Sequence, residues 1–363
     1  MSIVALEERI TALPPELRAV AQRIYSVSTS TGTLDPPDVM RPWIEKHFGS
    51  VDAVRSQKIV RVTDRFTLEG ALFNGLRAMR PMAVSEKSGA DVAEMIRRTA
   101  GDPFCSVETS TPADDFGRIR GTHSMTASNV AKYDGNHGVL VFDAHDPLAP
   151  MDADAIADHL ATARKWAEAA FGRDPAAPYY FLMWNCLWRS GASIVHGHMQ
   201  MTTTRGMHYP KVERLRRAAA AYAAAENGRD YFDDLWLVHE ALGLGVAVGE
   251  ARVFATLTPV KEREIVVLGA PGAGERSIAA GIAHALAALR GQGVVAHDLA
   301  LYLPPLAADG TDWQRFPPVV RLVDRGDPGD RTCDVGSMEL YAASVIASDP
   351  FRVAAALRVD RGR

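Results

Sequence analysis

The sequence predicts an α+β fold in which one unit of strands and a helix occurs twice, behind a helical N-terminal extension. The order strand–strand–helix–strand is found before residue 225 and again after it; the two copies share this order rather than residue identity. A chain of 363 residues is also long enough for two such units. We therefore divide it into an extension at 1–56, a first half at 57–225 and a second half at 226–363.

Each element follows from a local pattern. In the extension, LEERITAL and PELRAVAQRIYSV have apolar residues at helical spacing, and prolines open PPDVMRPWIEKHF. In the first half, KIVRVTDRF alternates like a strand, and HGVLVF and PYYFLMWN are typical of buried strands. Between the last two, DADAIADHLATARKWAEAAFG predicts an amphipathic helix that starts behind a capping Asp and closes at Gly172.

The helix KVERLRRAAAAYAAA leads into the second half. There LWLVHEALGLGVAVGEARVFATLTP and EREIVVLGA predict strands with turns, and ERSIAAGIAHALAALRG predicts a helix. LALYLPPL and VVRLVDRG predict two further strands, and DVGSMELYAASVIA leads into a short last helix.

Composition excludes several classes of function. The net charge of −4 favours neither nucleic acid nor an anionic membrane as a partner. Three scattered cysteines cannot build a disulfide framework, which fits a reducing cytoplasm. The N-terminus carries charges within its first ten residues, unlike a signal peptide, and no apolar run approaches the length of a membrane span.

The most informative segment is NCLWRSGASIVHGHMQM, which begins at Asn185. On a strand, His196, His198 and Gln200 would share one face, and the small residues before them would let a bulky ligand approach. The residues alone leave three interpretations open: a metal site, a core with two histidines, or a histidine that bonds to phosphorus. The last chemistry requires a neutral imidazole whose other nitrogen donates to a carbonyl, with a neutral donor near the phosphoryl oxygens.

This motif resembles that of the galactose-1-phosphate uridylyltransferase branch of the histidine triad superfamily. The branch has an Asn and then Gly-(Cys/Ala)-Ser-x-x-His-x-His-x-Gln, and this chain has the same spacings at Asn185, Gly191, Ser193, His196, His198 and Gln200. The resemblance implies a duplicated histidine-triad-like fold with an antiparallel sheet flanked by helices. It also implies that His198 is the nucleophile, that Gln200 binds the transferred phosphoryl oxygens, and that Asn185 and Ser193 hold phosphates.

Three other segments extend the resemblance. Arg77 and Arg80 in RAMRP correspond to a loop that contacts phosphate and sugar; taken alone, this loop would first be interpreted as an exposed basic turn. Asn129 in ASNVAKYD corresponds to a ribose contact. Glu339 in DVGSMEL stands one residue later than a sugar-binding Glu of the family; its alternative role is to cap the final helix.

The resemblance further implies a structural zinc. The family uses a Cys-x-x-Cys pair, a histidine after a strand and the first histidine of the motif. Here the matching residues are Asp102, Cys105, His145 and His196, a set that can bind zinc tetrahedrally. The alternative is a metal-free site in which the two histidines hydrogen-bond to neighbours.

The function implied is nucleotidyl transfer by a ping-pong mechanism between a nucleotide sugar and a sugar 1-phosphate, in the manner of a hexose-1-phosphate uridylyltransferase. Its partners would be small molecules: a nucleotide or nucleotide sugar and a phosphate-bearing acceptor. The resemblance also implies a homodimer. The alternatives are a nucleotide phosphorylase that uses the same histidine, a nucleotide-binding protein without turnover, and a zinc hydrolase in which both motif histidines bind metal.

Overall fold

The computed structural model describes residues 1–79, 91–330, 333 and 335–359. The helices are α1 Leu6–Thr11, α2 Pro15–Ile24, α3 Arg41–Phe48, α4 Val51–Arg55, α5 Val92–Arg98, α6 Val107–Ser110, α7 Ala153–Arg173, α8 Pro210–Ala225, α9 Tyr231–Ala241, α10 Arg276–Gly291, α11 Ser337–Tyr341 and α12 Pro350–Leu357. The strands are β1 Tyr25–Thr33, β2 Ser56–Asp64, β3 Gly70–Phe73, β4 Ser124–Ser128, β5 Asn136–Phe142, β6 Tyr179–Cys186, β7 His198–Thr204, β8 Gly245–Val248, β9 Ala251–Ala255, β10 Ile265–Leu268, β11 His297–Tyr302, β12 Val319–Asp324 and β13 Ser344–Ile346.

The principal feature is a nine-stranded sheet with the order β4-β5-β7-β6-β11-β12-β10-β9-β8, in which every neighbouring pair is antiparallel. The two halves of the chain meet in its middle, where β6 pairs with β11. Outward from this seam, β6-β7-β5-β4 on one side matches β11-β12-β10-β9 on the other. The predicted α+β class, with an antiparallel sheet flanked by helices, is therefore confirmed.

The register of the strands makes the duplication explicit. Met183 pairs with Ala300 at the seam, Gln200 pairs with Met183, and Arg321 pairs with Ala300. A two-fold rotation about the Met183–Ala300 pair thus exchanges Gln200 with Arg321. By the same rotation the counterpart of His198 is Val319, so the second half has no histidine at the position of the motif.

The two faces of the sheet differ in character. One face is apolar and packs against α7 and α10, with the side chains of Trp166 and Trp184 fully buried in that core. Because side chains alternate along a strand, His198 and Gln200 project from the opposite face. The sheet thus separates the packed core from the side that carries the chemistry.

A smaller sheet, β1-β2-β3-β13, joins distant parts of the chain. β1 pairs with β2 along its whole length, and β13, from near the C-terminus, runs parallel to β3. The turn between β2 and β3 brings Glu69 to Arg321, with a nitrogen–oxygen distance of 2.7 Å, and so covers the second half's counterpart of the motif.

Three expectations need correction. The extension is not wholly helical, because YSVSTSTGT forms β1; its alternating Ser and β-branched Thr residues suit a strand. LWLVHEA belongs to α9 rather than a strand, because Asp230 caps that helix by accepting from the backbone N–H groups of Phe232 and Asp233. Helix α7 passes Gly172 and ends at Arg173.

None of the helices in the described part of the chain combines the length and the apolarity that crossing a bilayer requires.

Candidate active site and metal centre

His198 opens β7 and is buried, with 7% of its surface exposed. Its Nδ1 lies 2.8 Å from the carbonyl oxygen of His196. Because a carbonyl can only accept, Nδ1 carries the proton and Nε2 keeps a free lone pair. Burial lowers the pKa of His198, which favours the neutral ring. The imidazole therefore has the protonation state that attack on phosphorus requires.

Gly197 separates the two motif histidines because no side chain fits there. A Cβ at this position would stand 2.5 Å from Cδ2 of Phe142. Phe142 cannot yield easily, since its ring stacks on that of His159 with centroids 4.3 Å apart and is edge-on to Trp184. The backbone of Gly197 also hydrogen-bonds with Phe142 and His145, and so holds the motif against the neighbouring strand.

Gln200 is held by a residue that the sequence analysis did not predict. The Nε2 atom of His137, at the start of β5, is 3.0 Å from Oε1 of Gln200. Nδ2 of Asn129 is 3.5 Å from the same oxygen. Asn129, expected to bind ribose, thus contacts the Gln200 group in the structure. Only the β5–β7 register brings His137 to Gln200, and no local motif carries that information.

Asn185 and Ser193 lie on the two sides of the turn before His198. The β6–β7 ladder ends at the Met183–Gln200 pair, and Asn185, two residues further along β6, projects from the same face of the sheet as Met183. Gly191 turns the chain in the left-handed conformation, at φ 92°. Ser193 follows in the turn and is exposed.

Four predicted metal ligands converge beside the motif: Asp102, Cys105, His145 and His196. The two Nδ1 atoms of His145 and His196 are 3.2 Å apart, and Sγ of Cys105 lies 3.4 and 3.5 Å from them. Oδ1 of Asp102 is 3.4 Å from Nδ1 of His196. Donors of a tetrahedral zinc site are separated by about 3.3 Å for two nitrogens and about 3.6 Å for nitrogen and sulfur. The donor spacing therefore matches zinc.

Hydrogen bonds around the cluster favour a cation at its centre. Nε2 of His145 donates to the carbonyl of Ile96 and Nε2 of His196 to that of Phe142, each over 2.8 Å. The lone pairs of the two Nδ1 atoms then point towards each other, an arrangement that a shared cation stabilises. Oδ2 of Asp102 is buried without a hydrogen-bond partner among the described residues. These residues therefore fit a bound zinc ion.

Phe104 links the metal cluster to His198. Phe104 stands between Asp102 and Cys105 in the sequence. Its ring is edge-on to both motif histidines, with centroid distances of 5.2 Å to His198 and 6.0 Å to His196. A groove of about 770 Å³ beside the metal cluster is lined in part by Phe104, His145 and His196. The cluster thus positions an aromatic ring directly against the imidazole of His198.

The other predicted site residues are not joined to this group. Arg77 is exposed in the 3-10 turn Gly75–Met79, and Arg80 lies outside the described residues. Glu339 caps α11, with its Oε2 accepting from the backbone N–H of Gly336 over 2.8 Å. Among the described residues, no hydrogen bond or ion pair connects Arg77 or Glu339 to His198.

Solved structures share this architecture. An ADP-glucose phosphorylase from Arabidopsis thaliana with bound ADP-glucose superposes with a TM-score of 0.62 at 14% identity, over 82% of this chain and 97% of that one. A uridylyltransferase structure matches with a TM-score of 0.54 at 16% identity, over 68% of this chain and 87% of the other. The chain has the uridylyltransferase fold.

A further match with this uridylyltransferase fold is a galactose-1-phosphate uridylyltransferase-like (GalT-like) protein from Arabidopsis thaliana. It has a TM-score of 0.58 at 14% identity, over 72% of this chain and 92% of that one. No protein family profile and no curated protein sequence matches the chain. At sequence identities this low, a structural likeness shows the fold alone. In the fold, the predicted resemblance is confirmed.

Proposed function

We propose that the protein transfers a nucleoside monophosphate group by a ping-pong mechanism through a covalent bond to Nε2 of His198. One observation carries the proposal: the hydrogen bond from Nδ1 of His198 to the carbonyl of His196 leaves a buried, unprotonated nitrogen as the nucleophile. The uridylyltransferase fold is consistent with this activity.

In the first half-reaction, the Nε2 lone pair attacks the α-phosphorus of a nucleoside diphosphate compound. The P–N bond forms, the P–O bond to the leaving phosphate breaks, and that phosphate departs with the electron pair. The ring becomes an imidazolium whose Nδ1–H still donates to the carbonyl of His196. In the second half-reaction an acceptor phosphate oxygen attacks phosphorus and returns the electron pair to Nε2. No proton transfer to the leaving group is needed, since a phosphate leaves as an anion.

The neutral side chains around His198 complete the proposed machinery. The amide of Gln200 would donate to the phosphoryl oxygens as charge shifts during attack, and Asn185, which projects from the same face of the sheet, would donate beside it. Ser193, exposed in the turn, would bind a second phosphate. Amide and hydroxyl donors suit an already anionic substrate, because they bind oxygen without the desolvation penalty of a buried charge.

We further propose that Asp102, Cys105, His145 and His196 hold a structural zinc ion. The fit rests on the donor spacing and on the partnerless Oδ2 of Asp102. When bound, the ion would fix the segment that carries Phe104 against the motif and would neutralise the carboxylate and thiolate. In this arrangement His198 is not a metal ligand, which disfavours the zinc hydrolase alternative.

The acceptor distinguishes the two candidate reactions. A hexose 1-phosphate as acceptor gives a uridylyltransferase-like reaction, with Arg77, Arg80 and Glu339 as proposed sugar or phosphate contacts and Asn129 near the ribose. Inorganic phosphate as acceptor gives a nucleotide-sugar phosphorylase. The use of Glu339 as a helix cap does not distinguish the two candidates, since the donor is a nucleotide sugar in both. The homodimer implied by the resemblance remains a prediction, which light scattering tests. The cytoplasmic location, inferred from the three scattered cysteines, also remains a prediction.

The experiment is intact-protein mass spectrometry after incubation with uridine and adenosine diphosphate sugars. A mass increase of one nucleoside monophosphate, labile in acid and mapped to His198, would support the mechanism and identify the base. The adduct should disappear on adding either a hexose 1-phosphate or inorganic phosphate, and this choice identifies the acceptor. His198→Ala should give no adduct while keeping the same thermal unfolding curve. Turnover of a donor without any adduct would refute covalent transfer.

A further inference from the structure

The proposed role of Gln200 depends on which end of its amide faces the substrate. The oxygen and nitrogen of a side-chain amide have nearly the same size, so packing alone does not choose between them. With the NH₂ toward His198, the amide donates to phosphoryl oxygens. In the reversed orientation its oxygen would face them and repel. Some contact on the far end of the amide has to select the productive orientation.

The contacts of His137 make that selection. The backbone N–H of Tyr133 donates to Nδ1 of His137 over 2.9 Å. A backbone N–H can only donate, so Nδ1 is the unprotonated nitrogen and the proton of the neutral ring lies on Nε2. Nε2–H then donates over 3.0 Å to Gln200, which must present its oxygen. The amide nitrogen is thereby left for the opposite direction.

Asn129 reinforces the same orientation. Its Oδ1 accepts from the backbone N–H of Ala131 over 2.9 Å, which fixes its Nδ2 as a donor. That nitrogen lies 3.5 Å from Oε1 of Gln200 and 3.2 Å from Nε2 of His137. Because Nε2 carries the ring proton and cannot accept, the amide of Asn129 donates to Gln200. The side chains of His137 and Asn129, each oriented by a backbone N–H, therefore both donate to one oxygen of Gln200. His137 is buried and Asn129 is half-buried.

The surroundings of His137 keep its ring neutral. The residue is fully buried, and burial lowers its pKa. The ring of Tyr133 stacks on it, with centroids 4.6 Å apart, and the ammonium of Lys132 binds its carbonyl oxygen over 3.1 Å. A neutral ring is what the relay needs, because a second proton on Nδ1 would break the bond from Tyr133.

We infer that His137 is a positioning residue that orients the amide of Gln200 so that its nitrogen faces the transferred phosphoryl group. This inference rests on the proposed function for its catalytic consequence. Its structural part, the tautomer of His137, stands apart from any activity. The relay runs from a backbone N–H through an imidazole and an amide to the substrate, without a change of charge at any step.

The test is a double-mutant cycle on the rate of adduct formation, with the donor that labels the wild type. His137→Phe removes the donor to Gln200 and should lower the single-turnover rate on the order of 10- to 100-fold, with little change in KM, because the lost donor acts on the transition state. His137→Gln restores a donor near the position of Nε2 and should recover most of the rate. In a Gln200→Ala background, His137→Phe should have no further effect.

Independent losses for His137→Phe and Gln200→Ala would overturn the inference, and so would a Gln variant as slow as the Phe variant. The nitrogen-15 shifts of the His137 ring give a readout that needs no substrate. They should show a protonated Nε2 and a bare Nδ1, and the opposite tautomer would overturn the inference directly. If no donor labels the wild type, the proposed function fails, while the tautomer measurement still decides the orientation of Gln200.

Discussion

Replacing Gly197 with Ala tests how closely the motif is packed. The added Cβ would stand 2.5 Å from Cδ2 of Phe142, about 0.9 Å short of ordinary contact. Phe142 is only 3% exposed and is stacked on His159, so the overlap has to be relieved by moving β7 or a filled core. Overpacking of this kind costs about 1–3 kcal/mol. With a denaturant slope of about 3 kcal/mol per M, the urea midpoint should fall by roughly 0.3–1 M.

The same change should also impair chemistry. Gly197 lies between the carbonyl that orients His198 and His198 itself, so a shift of its backbone disturbs the 2.8 Å hydrogen bond at Nδ1. We expect slower formation of the His198 adduct, measured in a single turnover at a temperature where the variant is folded.

Gly172 provides the matched control. It lies within α7 and has open space where a Cβ would be added. The identical substitution there should stabilise the chain by about 0.5–1 kcal/mol, because Ala is the better helix former. The reasoning is refuted if Gly197→Ala leaves the urea midpoint unchanged, or if combining it with Phe142→Leu recovers none of the loss.

Three further outcomes are expected. Asp102→Cys should slow the loss of zinc to a chelator, followed by inductively coupled plasma mass spectrometry, because thiolate binds zinc more tightly than carboxylate; metal absent from both proteins would contradict it. Burial lowers the pKa of His159 to about 4, so the unfolded chain binds more protons and stability falls as the pH drops below about 6.5. His159→Phe should remove about 1 kcal/mol of the loss between pH 7.5 and 5.5 in urea titrations; an equal loss in both proteins would contradict it. Arg321→Met leaves the buried Glu264 without its cation, while Glu69 keeps its ion pair with Arg214, and should cost about 3–5 kcal/mol, partly recovered by Glu264→Gln; no recovery would contradict the ion-pair explanation.

The elements that were predicted correctly are those whose sequence pattern fits only one type of secondary structure. Helix α7 is long and strongly amphipathic, and β5 and β6 are short apolar runs too brief to form a stable helix. LWLVHEA was predicted as a strand because an apolar run of this length fits either structure. Its cap at Asp230 and its packing in the second half determine the helix. β1 was missed because its strand pattern directly follows a helical one.

The site residues also fall into those that local sequence predicts and those that depend on how distant segments are aligned. His198 and Gln200 could be predicted because spacing along β7 is a local property. The four metal ligands come from separate segments, and the family resemblance brought them together. His137 was missed because its contact with Gln200 depends on how β5 and β7 are aligned, which neither segment encodes alone. Arg77 lies in a 3-10 turn and Glu339 in α11, both outside the large sheet. The described hydrogen bond of Glu339 connects it to its own segment rather than to His198.

The seam between β6 and β11 suggests how one chain came to carry a single proposed site. A two-fold pair of antiparallel strands is the geometry of an isologous dimer interface, in which each copy presents the same edge to the other. Joining two such copies in one polypeptide makes their association independent of concentration. It also releases them from having identical sequences. One copy could then keep His198 and Gln200, while the other placed Val319 and Arg321 at the same positions and became a support for its partner.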